Sequence, residues 1–190
     1  MRTHPTNPGI SLRPPTSGAG RPASAHSRAK DSRAAAAEII SQSDRQLHGA
    51  APTAVFVFLS AAHDGRTLIA ALREGYAQAQ VVGCTTAGEF VERDGSVGGV
   101  AAMALPSSTT RAAYGVVAQL ERGLEAGIRD AAKRLGRMAG AELSTLDPTR
   151  WVGILLADGM GMKEEEINDA LGMVAPRLIF VGDSAGDDLA

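Results

Sequence analysis

The run Gln80-Val81-Val82-Gly83-Cys84-Thr85-Thr86-Ala87-Gly88-Glu89-Phe90 constrains this chain more than any other stretch. An apolar strand-like segment gives way at once to glycine, alanine and hydroxyl side chains. Such a pattern predicts a short buried strand running into a tight loop where the backbone needs unusual φ/ψ and close approach. A second run, Leu178-Ile179-Phe180-Val181-Gly182-Asp183-Ser184-Ala185-Gly186-Asp187-Asp188, repeats the design with acids in its loop. Strands that end this way place backbone N–H groups and small side chains at a sheet edge, where α/β proteins commonly hold ligands. If both loops face one crevice, both strands must be parallel and end at the same edge. A Cβ at Gly88 is then expected either to strain the turn or to block the ligand.

The rest of the chain alternates around these two runs. From Asp31 the Ala-rich stretch Ser32–Ile40 is strongly helical, with Asp31 or Ser32 as N-cap and His48-Gly49 as the stop after Leu47. Ala54–Ser60 is a continuous apolar run with β-branched and aromatic members, hence a central strand. His63-Asp64-Gly65 turns the chain into a helix over Arg66–Gln78, where Leu68, Ile69, Leu72 and Tyr76 recur at helical spacing. After the turn dipeptide Asp94-Gly95, Val97–Leu105 reads as a strand. Thr110–Leu120 is predicted to return antiparallel to it. Gly123–Ala139 reads as a helix, Trp151–Ala157 as a strand and Lys163–Val174 as a helix opening on three glutamates; Leu178–Val181 is the last strand. This order predicts an α/β fold, a mixed β-sheet with one antiparallel hairpin and flanking helices. No element follows the last strand to cover its far face, so open apolar surface and marginal stability or association are expected there.

Bulk properties narrow the partners. A chain of 190 residues, 44% hydrophobic and 21% charged, suits one globular domain. Met1–Pro22 carries Pro, Ser and Arg without an acidic residue and is expected to be a disordered tail, leaving 23–190 as the domain. An organellar transit peptide shares that composition, but an uncleaved tail is the plainer reading. A net charge of −2 and few aromatics argue against nucleic acid. The apolar runs are strand-sized, too short for a membrane span, and a cytoplasmic location follows. Cys84 is the only cysteine, which excludes an intramolecular disulfide or a cysteine-based zinc site.

Several motifs have a sharp and a bland reading. Gly83 and Gly88 have P-loop spacing, but Glu89 and Phe90 follow where phosphate binding wants Lys and Ser or Thr, so that reading fails. Cys84 could be a nucleophile with His63 as base and Asp64 as orienter, or a redox-sensing thiol. A small buried thiol and ordinary turn chemistry explain the same residues. Asp183, Asp187 and Asp188, joined by Asp158, could gather a hard cation; solvated loop acids are the default. Met160, Met162 and Met173 read as core filling. No catalytic residue, metal or cofactor is therefore expected.

The runs Val82-Gly83-Cys84-Thr85-Thr86-Ala87-Gly88-Glu89 and Val181-Gly182-Asp183-Ser184-Ala185-Gly186-Asp187-Asp188 resemble the N-terminal half of the FIST family, bacterial sensory domains implicated in small-ligand signal input. The resemblance spans about Ala23 to Ala190, and Asp183 departs from the glycine expected there. It implies a binding module whose ligand contacts come from Gly83, Cys84, Thr85, Thr86, Gly88, Glu89, Gly182, Asp183, Ser184, Asp187 and Asp188. The acids there favour a small polar ligand bearing an amine, such as an amino acid. It also implies a partner, either a FIST C-terminal half or a signalling output protein, and a chain that would normally continue past Asp188. Haem would want a histidine in the matched runs, and His4, His26, His48 and His63 all lie outside them.

Overall fold

The computed structural model describes residues 20–186 except 93, 122 and 162. The tail up to residue 19, together with Asp187, Asp188 and Met162, lies outside the described residues. The described chain opens on β1 (Ala23–Ser27), a strand the residue pattern hides because it holds no large or β-branched apolar side chain. Helix α1 (Ser32–Leu47) starts where Asp31 accepts the Ala34 N–H at 2.8 Å and stops at His48, whose backbone is left-handed. Strand β2 (Pro52–Ser60) follows, then α2 (Gly65–Gly75), β3 (Gln80–Thr86), a small hairpin of β4 (Glu89–Val91) and β5 (Asp94–Ser96), and β6 (Val100–Pro106). The first sheet has the order β1-β6-β2-β3, with β2 parallel to β3 and β6 antiparallel to both β1 and β2.

The core on one face of this sheet forms for an alternation reason. Val55, Val57 and Leu59 of β2 point one way, in register with Ala104, Ala102 and Val100 of β6. Ile39, Leu47, Leu68 and Leu72 from α1 and α2 seal them, all four almost wholly buried. A second unit is built alike. Helix α3 (Leu124–Ala139) leads to β7 (Val152–Asp158), α4 (Glu164–Val174) and β8 (Ile179–Ala185), with β7 parallel to β8. Leu155 and Ala157 of β7 pack with Ile128 of α3 and with Ile167 and Ala170 of α4. Ser184 Oγ donates to Glu164 Oε1 at 2.8 Å, pinning the start of α4 to β8. Val152, Ile154, Ile179 and Val181, on the other face of β7 and β8, are exposed among the described residues.

Three expectations are corrected. Thr110–Leu120 is not a strand, because β6 already has β2 on one edge and β1 on the other and offers no edge to a returning partner. The antiparallel hairpin is instead β4–β5, so Asp94 and Gly95 fall inside a strand and the turn precedes them. Most of each small-residue run is also strand: Gly83–Thr86 belongs to β3 and Gly182–Ala185 to β8. Their smallness is a packing requirement. Gly83 sits in register with Val57 and Gly182 with Leu155, and a Cβ on either would run into that partner's carbonyl oxygen.

The two parallel units, β2-α2-β3 and β7-α4-β8, meet where β3 and β8 end. Gly186 N–H donates to Thr85 C=O at 3.1 Å, and Gly186 also lies beside Ala87 N, the one-behind, one-ahead spacing of parallel neighbours. That register aligns Thr85 with Ala185. Odd-numbered residues of β3, such as Val81, share the face of α1 and α2, whereas even-numbered residues of β8, such as Phe180 and Ser184, face α3, α4 and the segment between α3 and β7. The crossover helices α2 and α4 therefore lie on opposite faces. Right-handed crossovers require this when β2 leads outward to β3 and β7 leads back to β8.

Gly182→Ala should destabilise the protein by about 1–3 kcal/mol or more, the usual scale for overpacking against a neighbour that cannot move. Gly88→Ala should stay within about 0.5 kcal/mol. Urea denaturation checks both. A second expectation concerns Glu164, whose carboxyl is held below its ordinary range first by the Ser184 hydroxyl and then by its own backbone N–H. Its contribution to stability is complete above the unfolded-state pKa and is lost as pH falls through the depressed folded value. Ser184→Ala should therefore lose less Tm than the parent protein between neutral pH and about pH 3.

Candidate functional site

The bond between Gly186 and Thr85 marks the point where the two winding directions meet. Beyond it the chain leaving β3 passes into the β4–β5 hairpin. Thr85, Ala87 and Gly88 are exposed on one side of that bond, with Thr86 half-buried; Ser184, Ala185 and Gly186 stand half-buried on the other. No bulky side chain occupies either lip. The structure thus brings the ends of the two sequence runs side by side.

Glu89 behaves differently from its neighbours. It is 2% exposed, with Oε1 accepting from Thr86 Oγ1 at 2.9 Å and Oε2 from Gly99 N–H at 2.9 Å. Both oxygens are turned inward, where they close the Ala87-Gly88 turn and tie it to the start of β6. Gly88 has no left-handed φ, and a Cβ on it would meet only Ser96 C=O at 3.9 Å. The expectation that a side chain there strains the turn is therefore removed, leaving space into which a side chain can grow.

The other candidates are spoken for by local structure. Asp64 accepts from Arg66 N–H, Thr67 N–H and Thr67 Oγ1, capping α2, and the Thr67 hydroxyl above all holds its carboxyl below the ordinary range. His63 is buried, with Nδ1 at 3.2 Å from Ser32 Oγ, which in turn accepts from Asp64 N–H. These partners stitch the starts of α1 and α2 together and leave Asp64 no orienting role toward a base. Cys84 is half-buried in β3, in register with Phe58 of β2. Among the described residues no group of three or more His, Cys, Asp or Glu side chains could hold a metal ion. Two open hollows lie on helix flanks, one of about 710 Å³ along Gly65–Glu74 and one of about 610 Å³ between the first turns of α3 and α4. Neither includes a residue of β3 or β8. The convergence of small residues and polar backbone at the strand ends is the better pointer to a ligand.

Sequence reasoning missed a polar cluster on the hairpin. His26 of β1 is buried, with Nε2 at 2.9 Å from Ser96 Oγ and Nδ1 at 3.4 Å from Asp94 Oδ2. Arg28 donates to Asp94 Oδ1 at 2.5 Å and to Gly95 C=O at 2.8 Å, and Ser24 Oγ donates to Glu92 Oε1 at 3.0 Å. Alternation within Asp94-Gly95-Ser96 was the available signal, since it puts both polar residues on one face. Their partners on β1 were invisible because β1 itself was.

No helix among the described residues is long and apolar enough to cross a membrane. No curated protein and no solved structure matches the chain significantly. The FIST N domain family model matches residues 53–190, more than half of the chain, beginning at β2 and taking in both parallel units. FIST is a family of sensory domains linked to signal transduction. With the family pattern covering more than half of the chain and both parallel units, the chain belongs to the FIST N domain family.

Proposed function

We propose that this protein is a ligand-binding sensory module of an intracellular signalling system, and that it holds a small polar, amine-bearing molecule such as an amino acid between the ends of β3 and β8. The observation that carries this reading is the Gly186–Thr85 bond, which brings small residues at the ends of both strands side by side. Thr85, Thr86, Gly88 and Ser184 form the lips; Asp187 and Asp188, outside the described residues, belong to the same proposed ligand set. Gly83, Cys84, Gly182 and Asp183 support from within the strands, and Glu89 fixes the turn from beneath. Occupancy would be reported to a FIST C-terminal half or a separate output protein in the cytoplasm.

Charge at the helix starts supports an amine over an anion. Doubly wound proteins that bind phosphate do so at an open helix N-terminus. Here Asp64 caps α2, and α4 begins with Glu164, Glu165 and Glu166. Those carboxylates satisfy the positive end of each helix dipole and repel a second anion. Asp158, at the end of β7, adds to the same sign.

The test is isothermal titration with the free amino acids, their decarboxylated amines and inorganic phosphate. Amine-bearing ligands should bind and phosphate should not. Gly88→Val should abolish binding while leaving Tm unchanged, because its Cβ meets no strain and its methyls fill the crevice. Met173→Leu, on an exposed helix position, should bind normally. Tighter binding of phosphate than of any amine would overturn the charge argument, and undiminished binding by Gly88→Val would move the site elsewhere.

A further inference from the structure

We propose that Ser96, His26 and Asp94 form a Ser–His–Asp acyl-transfer centre, in which Ser96 is a nucleophile toward activated esters. The proposal is independent of the ligand reading above, since it rests on the hairpin and β1. Asp94 and Ser96 are two apart on β5 and so share one face of the hairpin, the face turned to His26. Ser96 Oγ stands 2.9 Å from His26 Nε2, and Asp94 Oδ2 stands 3.4 Å from His26 Nδ1. With the ring proton on Nδ1, beside the Asp94 carboxylate, the Nε2 lone pair would face the serine hydroxyl, the arrangement a general base needs.

The imidazole is held as well as oriented. The Gln42 side chain brackets the His26 backbone, accepting its N–H at 3.1 Å and donating to its C=O at 2.7 Å. Asp94 is fixed in turn by Arg28. Gly99 has no side chain, and a Cβ there would run into Ser96 Oγ and the Ser27 carbonyl. Ser96 is partly exposed, whereas His26 is buried. Two residues after Ser96 the chain turns at Gly98, with φ 81°. Clamping a hairpin to β1 would need only hydrogen bonds of any pattern; the order carboxylate, imidazole, hydroxyl is what catalysis needs.

The chemistry balances with water as co-reactant. Ser96 Oγ attacks the ester carbonyl as its proton passes to His26 Nε2. The alcohol or phenol departs with that proton, leaving an acyl-serine. Water then attacks the acyl carbon, giving one proton to His26, which returns it to Ser96 Oγ as the acid leaves. Asp94 is a positioning residue that stabilises the imidazolium.

The experiment treats the full chain with a fluorophosphonate probe and maps the adduct by mass spectrometry, alongside the burst of p-nitrophenol from p-nitrophenyl acetate. One adduct on Ser96 is expected, absent in Ser96→Ala and retained in Ser107→Ala. His26→Gln should slow labelling by roughly 10²-fold or more, as expected for loss of the base. Asp94→Asn should both lower the burst rate and displace its pH profile, which a merely structural role would not do. The charged groups around His26 are Asp94 with Arg28 on β5 and β1, Glu38 of α1 through Ser27, and Glu89 of β4 through Gly99; Gln42 is neutral. Circular dichroism confirms that each variant is folded, and the wild-type map decides alone if Ser96→Ala is not. No adduct on Ser96 in the folded parent, or equal labelling rates in the parent and a folded His26→Gln, overturns the proposal.

Discussion

The backbone bond from Gly186 N–H to Thr85 C=O is the constraint on which the site depends. Each parallel unit could bury its own helix without the other. Their contact at the strand ends turns two units into one edge. The contact in turn needs Gly83 and Gly182. Each lets its strand lie against a parallel partner where any Cβ would meet a carbonyl, so the strand reaches its end in the correct register. Glycine in a strand usually weakens it through entropy and lost packing. Here the close approach offsets that cost.

Three carboxylates near this end of the sheet do three different jobs, set by surroundings and not by residue type. Asp64 is exposed and serves the first N–H groups of α2. Glu164 is half-buried and ties the first turn of α4 to Ser184. Glu89 is buried, and two donors from different elements meet its two oxygens, so it works as a strut. A buried acceptor with its donors in place is far less costly than an orphaned one. The same strut connects the end of β3 to the hairpin. Thr86 ends β3, Glu89 begins β4, and β5 returns to His26.

Long elements with strong periodicity were legible in the sequence. The helix capped by Asp31, the strand through Val55 and Val57, and the helix opening on Glu164-Glu165-Glu166 all follow from residue pattern. What stayed hidden shares one physical cause: its stability comes from partners far away in sequence. Strand β1 has no apolar weight of its own and exists because β6 and α1 close on it. Thr110–Leu120 has strand-like composition but no open edge to join. Instead Gly115 lies against Val82, Val117 C=O accepts from Arg134, and Tyr114 stacks on Trp151 with ring centroids 6.2 Å apart. The small-residue runs were correctly singled out. Their glycines were read as turn signals because close approach between strands leaves the same local mark as a turn.

The strands of the second unit carry one further consequence of winding. Continuous apolar runs such as Val152–Ala157 and Ile179–Val181 are the pattern of strands covered on both faces. Helices α3 and α4 cover one face. On the other, Val152 pairs with Ile179 and Ile154 with Val181, giving four adjacent branched side chains that are each about half exposed or more. Scattered apolar residues on a surface are ordinary, but a contiguous patch in strand register is not. The register at Thr85 and Ala185 puts this patch on the α2 side of the sheet, where α2 itself reaches only as far as β3. Residue choice in β7 and β8 therefore follows a two-sided burial rule, while the described residues bury one side. That mismatch, and not weak strand propensity, is why this end of the protein exposes its most apolar strands.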